Sequence, residues 1–421
     1  MLKRALTLLL IVTMVGGLGV WAVAQQKTVS IAVTWSGQEL QAFQDVIAQF
    51  QKETGITVNV EPIGRDLATV LVTRFKAGNP PDVAAMPNPG QMKQFVDENA
   101  LVPLESIINM NQQPKGFTDL TTVDGHCYGI FMDADVKSLV WYDPKVFKAK
   151  GYTVPTTWDE LINLTQQIAR SGGTPWAIGL ESGAASGWPG TDWIEDLMLR
   201  IAGPQAYDLW IQHKISWLNP DVQAAWRAFG EIALNPKYVY GGTSGALSTN
   251  FGDAANPLFT DPPGAYMLKQ ATFMQSFIQQ ADPNLVAGED YDIFPFPPMG
   301  PGLPTPIEGS GDLVSVFNNT PESQALIKYL AGAEAQTIFC QKLGKLAVNN
   351  TVNPDIYTNP ISKKAFEILS NAQVFRFDAS DSMPAQVGSG TFWTGVLDYV
   401  NGTPLDTVLT KIEQSAQEAY K

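Results

Sequence analysis

Tryptophans placed among glycine, proline and acidic residues are the feature of this sequence with the clearest chemical use. A sugar ring has apolar C–H faces that lie on aromatic planes, and its hydroxyl edge needs carboxylates, amides or guanidinium groups. Residues 188–193 carry both kinds of group, and the loop-forming residues around them favour exposure. Ordinary core packing is the alternative for each tryptophan. The candidates are Trp35, Trp188, Trp193 and Trp393.

Several charged residues could serve the same purpose. Arg65 and Asp66 follow Gly64 at a predicted helix start, where they could contact a sugar or form a solvated ion pair. Two acids that flank a sugar are also what a glycoside hydrolase uses, so the acids alone do not separate binding from hydrolysis. The ambiguous acids are Glu181, Asp378 and Asp381.

The sequence lacks the common catalytic signatures. It contains no Walker lysine loop, no G-x-S-x-G elbow and no Cys-x-x-Cys pair. The two histidines, His126 and His213, are too few and too far apart in the chain for a zinc cluster. We therefore predict no catalytic residue, no metal and no cofactor.

The elements that would position these side chains alternate between strands and helices. Apolar alternation predicts strands over residues 29–33 and 56–60, and a helical period over residues 40–50 connects them. Gly55 ends that helix, and a short buried strand is predicted over residues 82–86. Short strand–helix–strand connections are typical of a parallel sheet, which predicts an α/β fold.

Later segments predict a hinge and further helices. Two apolar strands, over residues 127–131 and 138–142, are separated by a short polar stretch that would suit a hinge. Thr157 and Glu160 have the spacing of a capping box, and Pro321 favours a second helix start after Thr320.

Two middle segments, residues 182–203 and 241–264, are rich in glycine, proline, serine and tryptophan, and they are predicted to be loops. Loops on a rigid α/β scaffold are common places for ligand-binding groups. These segments are therefore the first candidates for a site.

The amino terminus predicts secretion. Residues 1–24 combine a basic start, a short apolar run and an Ala-x-Ala end, which is typical of a signal peptide cleaved after Ala24. An uncleaved anchor is the alternative. Removal of Lys3 and Arg4 takes the formal charge from -14 to -16, which makes nucleic acid an improbable partner.

Chain length and cysteines limit the architecture. About 400 mature residues exceed what one hydrophobic core usually supports, so two lobes are expected. Cys127 and Cys340 are the two cysteines. An oxidising compartment allows a disulfide between them, and two buried thiols are the alternative.

Ordered motifs along the chain resemble the extracellular solute-binding proteins of ABC sugar importers, of the maltose and α-glucoside type. They run in family order over nearly the whole mature chain, and FDASDSMP (377–384) with TFW (391–393) resembles the α-glucoside branch. The other motifs are FQKETGITV (50–58), GNPPDVA (78–84), DGHCYGI (124–130), VWYDP (140–144), PTTWDEL (155–161), GDLV (311–314) and YLAGAEAQ (329–336).

The resemblance implies a periplasmic-binding-protein-like fold of two α/β lobes joined by a three-crossover hinge, with the sugar between the lobes. The crossovers would lie near residues 133–137, 289 and 318–320. The expected division is residues 25–133 with 290–318 for the amino-terminal lobe, and 137–289 with 321–421 for the carboxy-terminal lobe.

Site residues follow from the resemblance by position. Ser36, Arg65 and Asp312 would contact the sugar from one lobe, and Glu181, Trp193 and Trp393 from the other. The further contacts implied are Gln38, Glu39, Met86, Asn88, Asp135, Lys137, Trp188, Asp192, Gln270 and Phe273.

The function implied is that of a periplasmic or extracellular receptor. It would close around a neutral oligosaccharide of the α-glucoside class and deliver it to the membrane subunits of an ABC permease, as a monomer and without chemical change. Two alternatives stay open: a secreted glycoside hydrolase, and the same fold with a non-sugar solute such as a peptide, a polyamine or a metal complex.

Overall fold

The computed structural model describes residues 27–421, so the predicted signal peptide lies outside the described residues. Strands and helices alternate over most of the described chain. The strands are β1 (Thr28–Val33), β2 (Thr57–Pro62), β3 (Val83–Met86), β4 (Thr122–Val123), β5 (His126–Cys127), β6 (Ile130–Phe131), β7 (Asp135–Val136), β8 (Leu139–Tyr142), β9 (Trp176–Ala177), β10 (Met267–Lys269), β11 (Asp292–Pro295), β12 (Ile307–Ser310), β13 (Leu313–Val316) and β14 (Phe375–Phe377).

Helices cover the faces of these strands. The α-helices are α1 (Gly37–Thr54), α2 (Leu67–Lys76), α3 (Pro89–Asp97), α4 (Lys115–Leu120), α5 (Pro144–Lys150), α6 (Trp158–Arg170), α7 (Trp188–Ile201), α8 (Gly203–Ile211), α9 (Pro220–Ala233), α10 (Gly242–Ser248), α11 (Met274–Ala281), α12 (Pro321–Leu330), α13 (Ala333–Leu343), α14 (Pro360–Ser370), α15 (Ala379–Ser382), α16 (Trp393–Val400) and α17 (Leu405–Ala419). A π-helix, Gln386–Phe392, precedes α16.

The first lobe is built on a five-stranded sheet in the order β2-β1-β3-β13-β6. Strand β1 runs parallel to β2 and β3, and β13 runs antiparallel to β3 and β6. Alternation along β1 places Val29, Ile31 and Val33 in one core with Phe43 of α1, while Ala32 joins the core on the opposite face. The predicted β1-α1-β2 unit is confirmed.

The second lobe is built on a four-stranded sheet in the order β11-β8-β10-β9. Its main core packs helices α6, α7, α9, α16 and α17 against one face of the sheet, through side chains that include Leu161, Trp193, Phe229 and Ile412. The start of α6 is fixed as predicted, because the Thr157 hydroxyl accepts a hydrogen bond from the Glu160 N–H. The fold class predicted from the sequence is confirmed.

Three short strands form a separate sheet where the chain passes between the lobes. Strand β12 lies in the centre, with β7 antiparallel on one side and β14 parallel on the other. The chain passes from β6 of the first sheet to β8 of the second through β7, and from β11 of the second sheet to β13 of the first through β12. The crossovers near residues 133–137, 289 and 318–320 stay a prediction.

The predicted lobe boundaries differ from the structure at two points. Strand β11 was expected in the first lobe, but it pairs with β8 of the second sheet. Helices α12 and α13 were expected in the second lobe, but their apolar side chains, including Leu326 and Phe339, pack in the core of the first sheet. Core packing of these amphipathic helices, which no local signal specifies, decides their lobe.

The predicted loops are partly helical. Residues 188–201 form α7, since Pro189 is tolerated in the first turn and Ile194 and Leu197 carry an apolar face into the core. Residues 242–248 likewise form α10. The composition of these segments indicated turns, but tertiary burial favoured helices.

Both cysteines are free and buried in the first lobe. The Cys127 thiol lies 3.2 Å from the Gly129 carbonyl oxygen, and that of Cys340 lies 3.9 Å from the Met132 carbonyl oxygen. Burial raises the pKa of both thiols. Of the two arrangements open from the sequence, the structure has the pair of buried thiols.

Candidate ligand-binding site

A cavity of about 190 Å³ lies between the two lobes. Residues of both lobes and of the crossovers line it, so a bound molecule would touch all three parts of the fold. Its lining includes Thr34, Trp35, Glu39, Arg65, Met86, Asn88, Gln91, Asp135, Lys137, Ala185, Trp188, Phe273, Ser310, Asp312, Lys345, Asp381, Ser389 and Trp393.

One side of the cavity, here called the aromatic wall, consists of Trp188, Phe273 and Trp393. The Trp188 ring centroid lies 5.8 Å from that of Phe273. Each indole N–H donates within the second lobe, Trp188 to the Ser182 hydroxyl at 3.0 Å and Trp393 to the Ser380 hydroxyl at 3.1 Å. Because the polar edges are occupied, the wall offers apolar ring surface to a ligand.

Close backbone approaches hold the two tryptophans of this wall in place. Gly187 precedes Trp188 with a φ of 108°, and a Cβ there would overlap the Trp393 carbonyl oxygen. In the π-helix before Trp393, a Cβ on Gly388 would overlap the Ser380 carbonyl oxygen. π-Helical turns are rare and concentrate at functional sites.

A second part of the lining, here called the ionic wall, consists of Glu39, Asp135, Asp312 and Lys345. The buried Lys345 ammonium lies 3.2 Å from carboxylate oxygens of Glu39 and Asp135, and 3.3 Å from Asp312. It also lies 2.7 Å from Asp133, behind the wall. These ion pairs connect α1 with β7 and with the turn between β12 and β13.

The ionisation of this wall follows from burial and pairing. Burial disfavours the charge of Lys345, but the surrounding carboxylates outweigh it and raise the pKa of the ammonium well above its ordinary value. Burial also raises the pKa of Glu39 and Asp133, although Lys345 opposes that shift. The wall is therefore held together by one cation shared among several acids.

A second buried lysine, Lys137, lies next to Trp188 of the aromatic wall. The Lys137 ammonium pairs with Asp192 at 2.8 Å and with Asp378, and it lies 5.2 Å from the Trp188 ring centroid. Burial raises the pKa of Asp192 to about 6, against the attraction of Lys137. Lys137 lines the cavity, whereas its two carboxylate partners lie behind it.

One group of acids in the described chain has the spacing of a metal site. Carboxylate oxygens of Asp192, Glu308 and Asp378 lie within 4.8 Å of one another. The ammonium group of Lys137 already pairs with two of them, and that of Lys269 lies 4.0 Å from Glu308. A cation bound here would have to displace these lysines.

The two lobes touch at the rim of the cavity. Asn88 of the first lobe donates to the Asp381 carboxylate of the second. The Arg65 guanidinium lies 4.6 Å from the ring centroid of Phe251, across the cleft. Helix α3 approaches α15 so closely that a Cβ on Gly90 would overlap the Met383 carbonyl oxygen. These contacts describe a closed arrangement of the lobes.

Residues 34–337 match the family described as bacterial extracellular solute-binding protein. The chain belongs to this family. It is 41% identical over 411 residues to the osmoprotective compounds-binding protein GgtB of Synechocystis sp., an alignment that covers 97% of this chain and 96% of GgtB. It is 37% identical to the alpha-glucosides-binding periplasmic protein AglE of Rhizobium meliloti, over 92% of this chain and 87% of AglE.

Solved structures agree with the fold. The bacterial solute receptor AcbH, described with an exclusive preference for β-D-galactopyranose, superposes with a TM-score of 0.81 at 20% identity. The match covers 94% of this chain and 100% of AcbH. These family members are solute-binding proteins.

The structure brings many of the predicted site residues of this family member to the cavity. Those that line it are Trp35, Glu39, Arg65, Met86, Asn88, Asp135, Lys137, Trp188, Phe273, Asp312, Asp381 and Trp393. Their contact with a ligand stays a prediction.

Other predicted residues lie outside the cavity lining. Ser36, Gln38 and Asp66 are exposed. The Glu181 carboxylate accepts from the Gly183 N–H and the Asn250 amide, both at 2.6 Å, so it shapes its own loop. The Gln270 side chain accepts from the Ala271 N–H.

Trp193 does not line the cavity, because it is buried in the second-lobe core. Its ring packs edge-on against Trp176 at 4.9 Å and Phe296 at 5.5 Å. Helix α7 turns Trp188 toward the cavity and Trp193 away from it. The sequence analysis predicted a loop here, and a loop does not fix which way each side chain points. Asp192 and Asp378, also predicted as contacts, instead bind Lys137 behind the lining.

Lys345 is the important residue that the sequence analysis missed. It follows Gly344, the residue with a φ of 73° that ends α13, and no nearby motif distinguishes it from a surface lysine. Thr34, Gln91, Ser310 and Ser389 also line the cavity without having been predicted.

Proposed function

We propose that this protein is the substrate-binding component of an ABC importer, and that it binds a small neutral α-glucoside between its lobes. The observation that carries the proposal is one cavity, between the lobes, whose lining includes both an aromatic wall and an ionic wall. Aromatic faces suit the C–H faces of a sugar, and carboxylates suit its hydroxyl groups.

The relatives support a small glucoside. The names of GgtB and AglE give osmoprotective compounds and alpha-glucosides as their ligands. The cavity, at about 190 Å³, is smaller than the roughly 300–1,000 Å³ typical of pockets for drug-sized ligands. This favours a ligand of one or two sugar rings over a long oligosaccharide.

Binding would work through closure of the lobes. A ligand shifts a conformational equilibrium only by its different affinity for the two states, so its contacts have to be divided between the lobes. The ionic wall lies on the first lobe and the crossovers, and the aromatic wall lies on the second lobe. A sugar that touches both walls would favour the closed form, which would then deliver it to the permease.

The cellular setting follows from the same family. Relatives of this chain are named as extracellular or periplasmic binding proteins. Across residues 27–421, the helices are too short or too polar to cross a bilayer. We propose that the mature chain acts as a monomer outside the cytoplasmic membrane, with two permease subunits as partners.

The receptor function predicts that the sugar is returned unchanged. The alternative glycoside hydrolase would use two acids of the cavity as acid and nucleophile or base, and it would release monosaccharides. Thin-layer chromatography of maltose, sucrose and trehalose after overnight incubation with the protein separates the two. Product formation above a protein-free control would contradict the receptor function.

A ligand panel tests the proposal directly. Glucose, methyl α-glucoside, sucrose, trehalose, maltose and maltotriose are compared with glycine betaine, spermidine and a short peptide by the rise in melting temperature, followed by calorimetry. We expect stabilisation by at least one neutral α-glucoside, because a ligand that binds the folded state alone stabilises it. Stabilisation by a non-sugar solute alone would overturn the sugar assignment.

A further inference from the structure

We propose that the cleft selects its ligand by charge, accepting neutral glucosides and rejecting analogues that carry a carboxylate or a phosphate. This inference rests on the proposed function, since it concerns which glucosides the same cavity admits. The argument depends on which charged groups of the cavity are already paired and which are open to a ligand.

The two buried lysines of the cavity are committed to carboxylates of the protein. The Lys345 ammonium has three N–H donors and lies within 3.3 Å of four carboxylates. Lys137 pairs with Asp192 and Asp378 and also lies over the Trp188 ring. An anionic ligand would therefore have to compete with internal carboxylates for both ammonium groups.

Arg65, the third cation of the cavity, is poorly placed to pair with an anionic ligand. Its guanidinium lies 4.6 Å from the Phe251 ring centroid, on the face of the aromatic side chain. It sits at the rim, half-buried, while both lysines are almost fully buried. A single rim cation leaves the deeper part of the cavity without a free positive group.

Several carboxylate oxygens, in contrast, are open. Glu39 uses Oε1 for Lys345, Asp312 uses Oδ2 for Trp35 and Lys345, and Asp381 uses Oδ1 for Asn88. The second oxygen of each carboxylate has no hydrogen-bond partner among residues 27–421. All three residues line the cavity, so each can accept a hydrogen bond from a ligand hydroxyl.

Carboxyl groups outnumber cations around the cavity, which also disfavours an anionic ligand. Four acids line it, Glu39, Asp135, Asp312 and Asp381, and three more pair with its lysines from behind, Asp133, Asp192 and Asp378. Seven carboxyl groups thus surround three cations. Hydroxyl donors fit such a site, whereas like charges brought together at a desolvated contact are strongly disfavoured.

A matched set of ligands isolates charge from shape. Methyl α-glucoside, methyl α-glucuronamide and methyl α-glucuronide differ at C6 only, as alcohol, neutral amide and carboxylate, and trehalose with trehalose 6-phosphate extends the test to two rings. We expect calorimetry to show the glucuronide binding at least about a hundredfold more weakly than the amide, and the phosphate equally disfavoured against trehalose.

A variant and its control locate the effect. Asp312→Asn keeps the side-chain shape and removes one carboxylate with an open oxygen, so the ratio of amide to glucuronide affinity should fall at least about tenfold. Asp97→Asn makes the same charge change on the exposed end of α3, where Asp97 pairs with Lys93, and should leave the ratio at its wild-type value.

The outcomes separate the two proposals. Equal affinity for amide and glucuronide overturns the charge selection alone, and so does a ratio that Asp312→Asn leaves unchanged. Failure of every neutral α-glucoside of the panel to bind overturns the proposed function, and the charge selection falls with it.

Discussion

The two walls of the cleft are built on different interactions. The ionic wall is a set of directional contacts centred on Lys345, which follows α13. Its acids come from α1, from β7 and from the turn between β12 and β13. The aromatic wall is a set of ring faces held within the second lobe by hydroxyl groups and close backbone approaches.

The two walls differ in how each would connect ligand binding with closure of the lobes. On the proposed function, a ligand on the ionic wall would touch β7 and the turn between β12 and β13, where the chain passes between the two sheets. The aromatic wall would add contact area when the lobes close. Affinity would then depend on both walls.

Lys345→Met gives the largest expected effect, because it leaves several buried carboxylates without their shared cation. Removing one partner of a buried ion pair typically costs about 3–5 kcal/mol of unfolding free energy, which urea unfolding would measure. Lys342→Met, in the exposed end of α13, is the matched control with a surface ion pair to Asp45. Equal stability of the two variants would show that the ionic wall does not hold the fold.

Trp193→Ala separates the core from the aromatic wall. Loss of a fully buried tryptophan typically costs about 3–5 kcal/mol of unfolding free energy, but Trp193 does not line the cavity. Calorimetry at a temperature where the variant stays folded should give wild-type sugar affinity. A large loss of affinity in a folded Trp193→Ala sample would show that Trp193 belongs to the binding site and not only to the core.

Gly90→Ala tests closure without touching either wall. A methyl group at this helical position would overlap the Met383 carbonyl oxygen of the other lobe, so it opposes the closed form. We expect at least about tenfold weaker sugar binding, roughly 1.4 kcal/mol, with unfolding free energy unchanged or slightly raised. Gly116→Ala in α4 has open space around it and serves as control. Unchanged affinity in Gly90→Ala would contradict the closed arrangement.

Trp393→Ala gives the smallest effect in this series. Removing this ring from the aromatic wall should weaken sugar binding by more than about 1 kcal/mol, the scale of one aromatic contact beyond its buried area. Calorimetry measures the loss, and circular dichroism checks that the fold is retained. Wild-type affinity in a folded Trp393→Ala protein would remove this residue from the site.

Much of the fold was predictable because its signals are local. Alternation over residues 28–33, the glycine after α1 and the cap at Thr157 each follow from rules that act within a few residues. The family motifs predicted two lobes and three crossovers. The pairing of β11 with β8 and the packing of α12 against the first sheet did not follow from them, since contacts over long sequence distances decide both.

The candidate site was also predictable only in part. Residue types indicated a sugar, and Trp188, Trp393 and Asp312 were predicted in positions that line the cavity. Trp193 lies in the core instead, because five residues farther along α7 a side chain points to the other face of the helix. Lys345 was missed because a buried lysine has no sequence signature of its own.

The sequence by itself determined the class of fold, the family and the kind of chemistry at the site, because periodicity, capping and ordered motifs act through neighbouring residues. Only the tertiary structure decided which tryptophans line the cavity, which acids bind lysines and where the chain crosses between lobes. Those outcomes depend on contacts between residues such as Asp133 and Lys345, which lie more than two hundred positions apart in the chain.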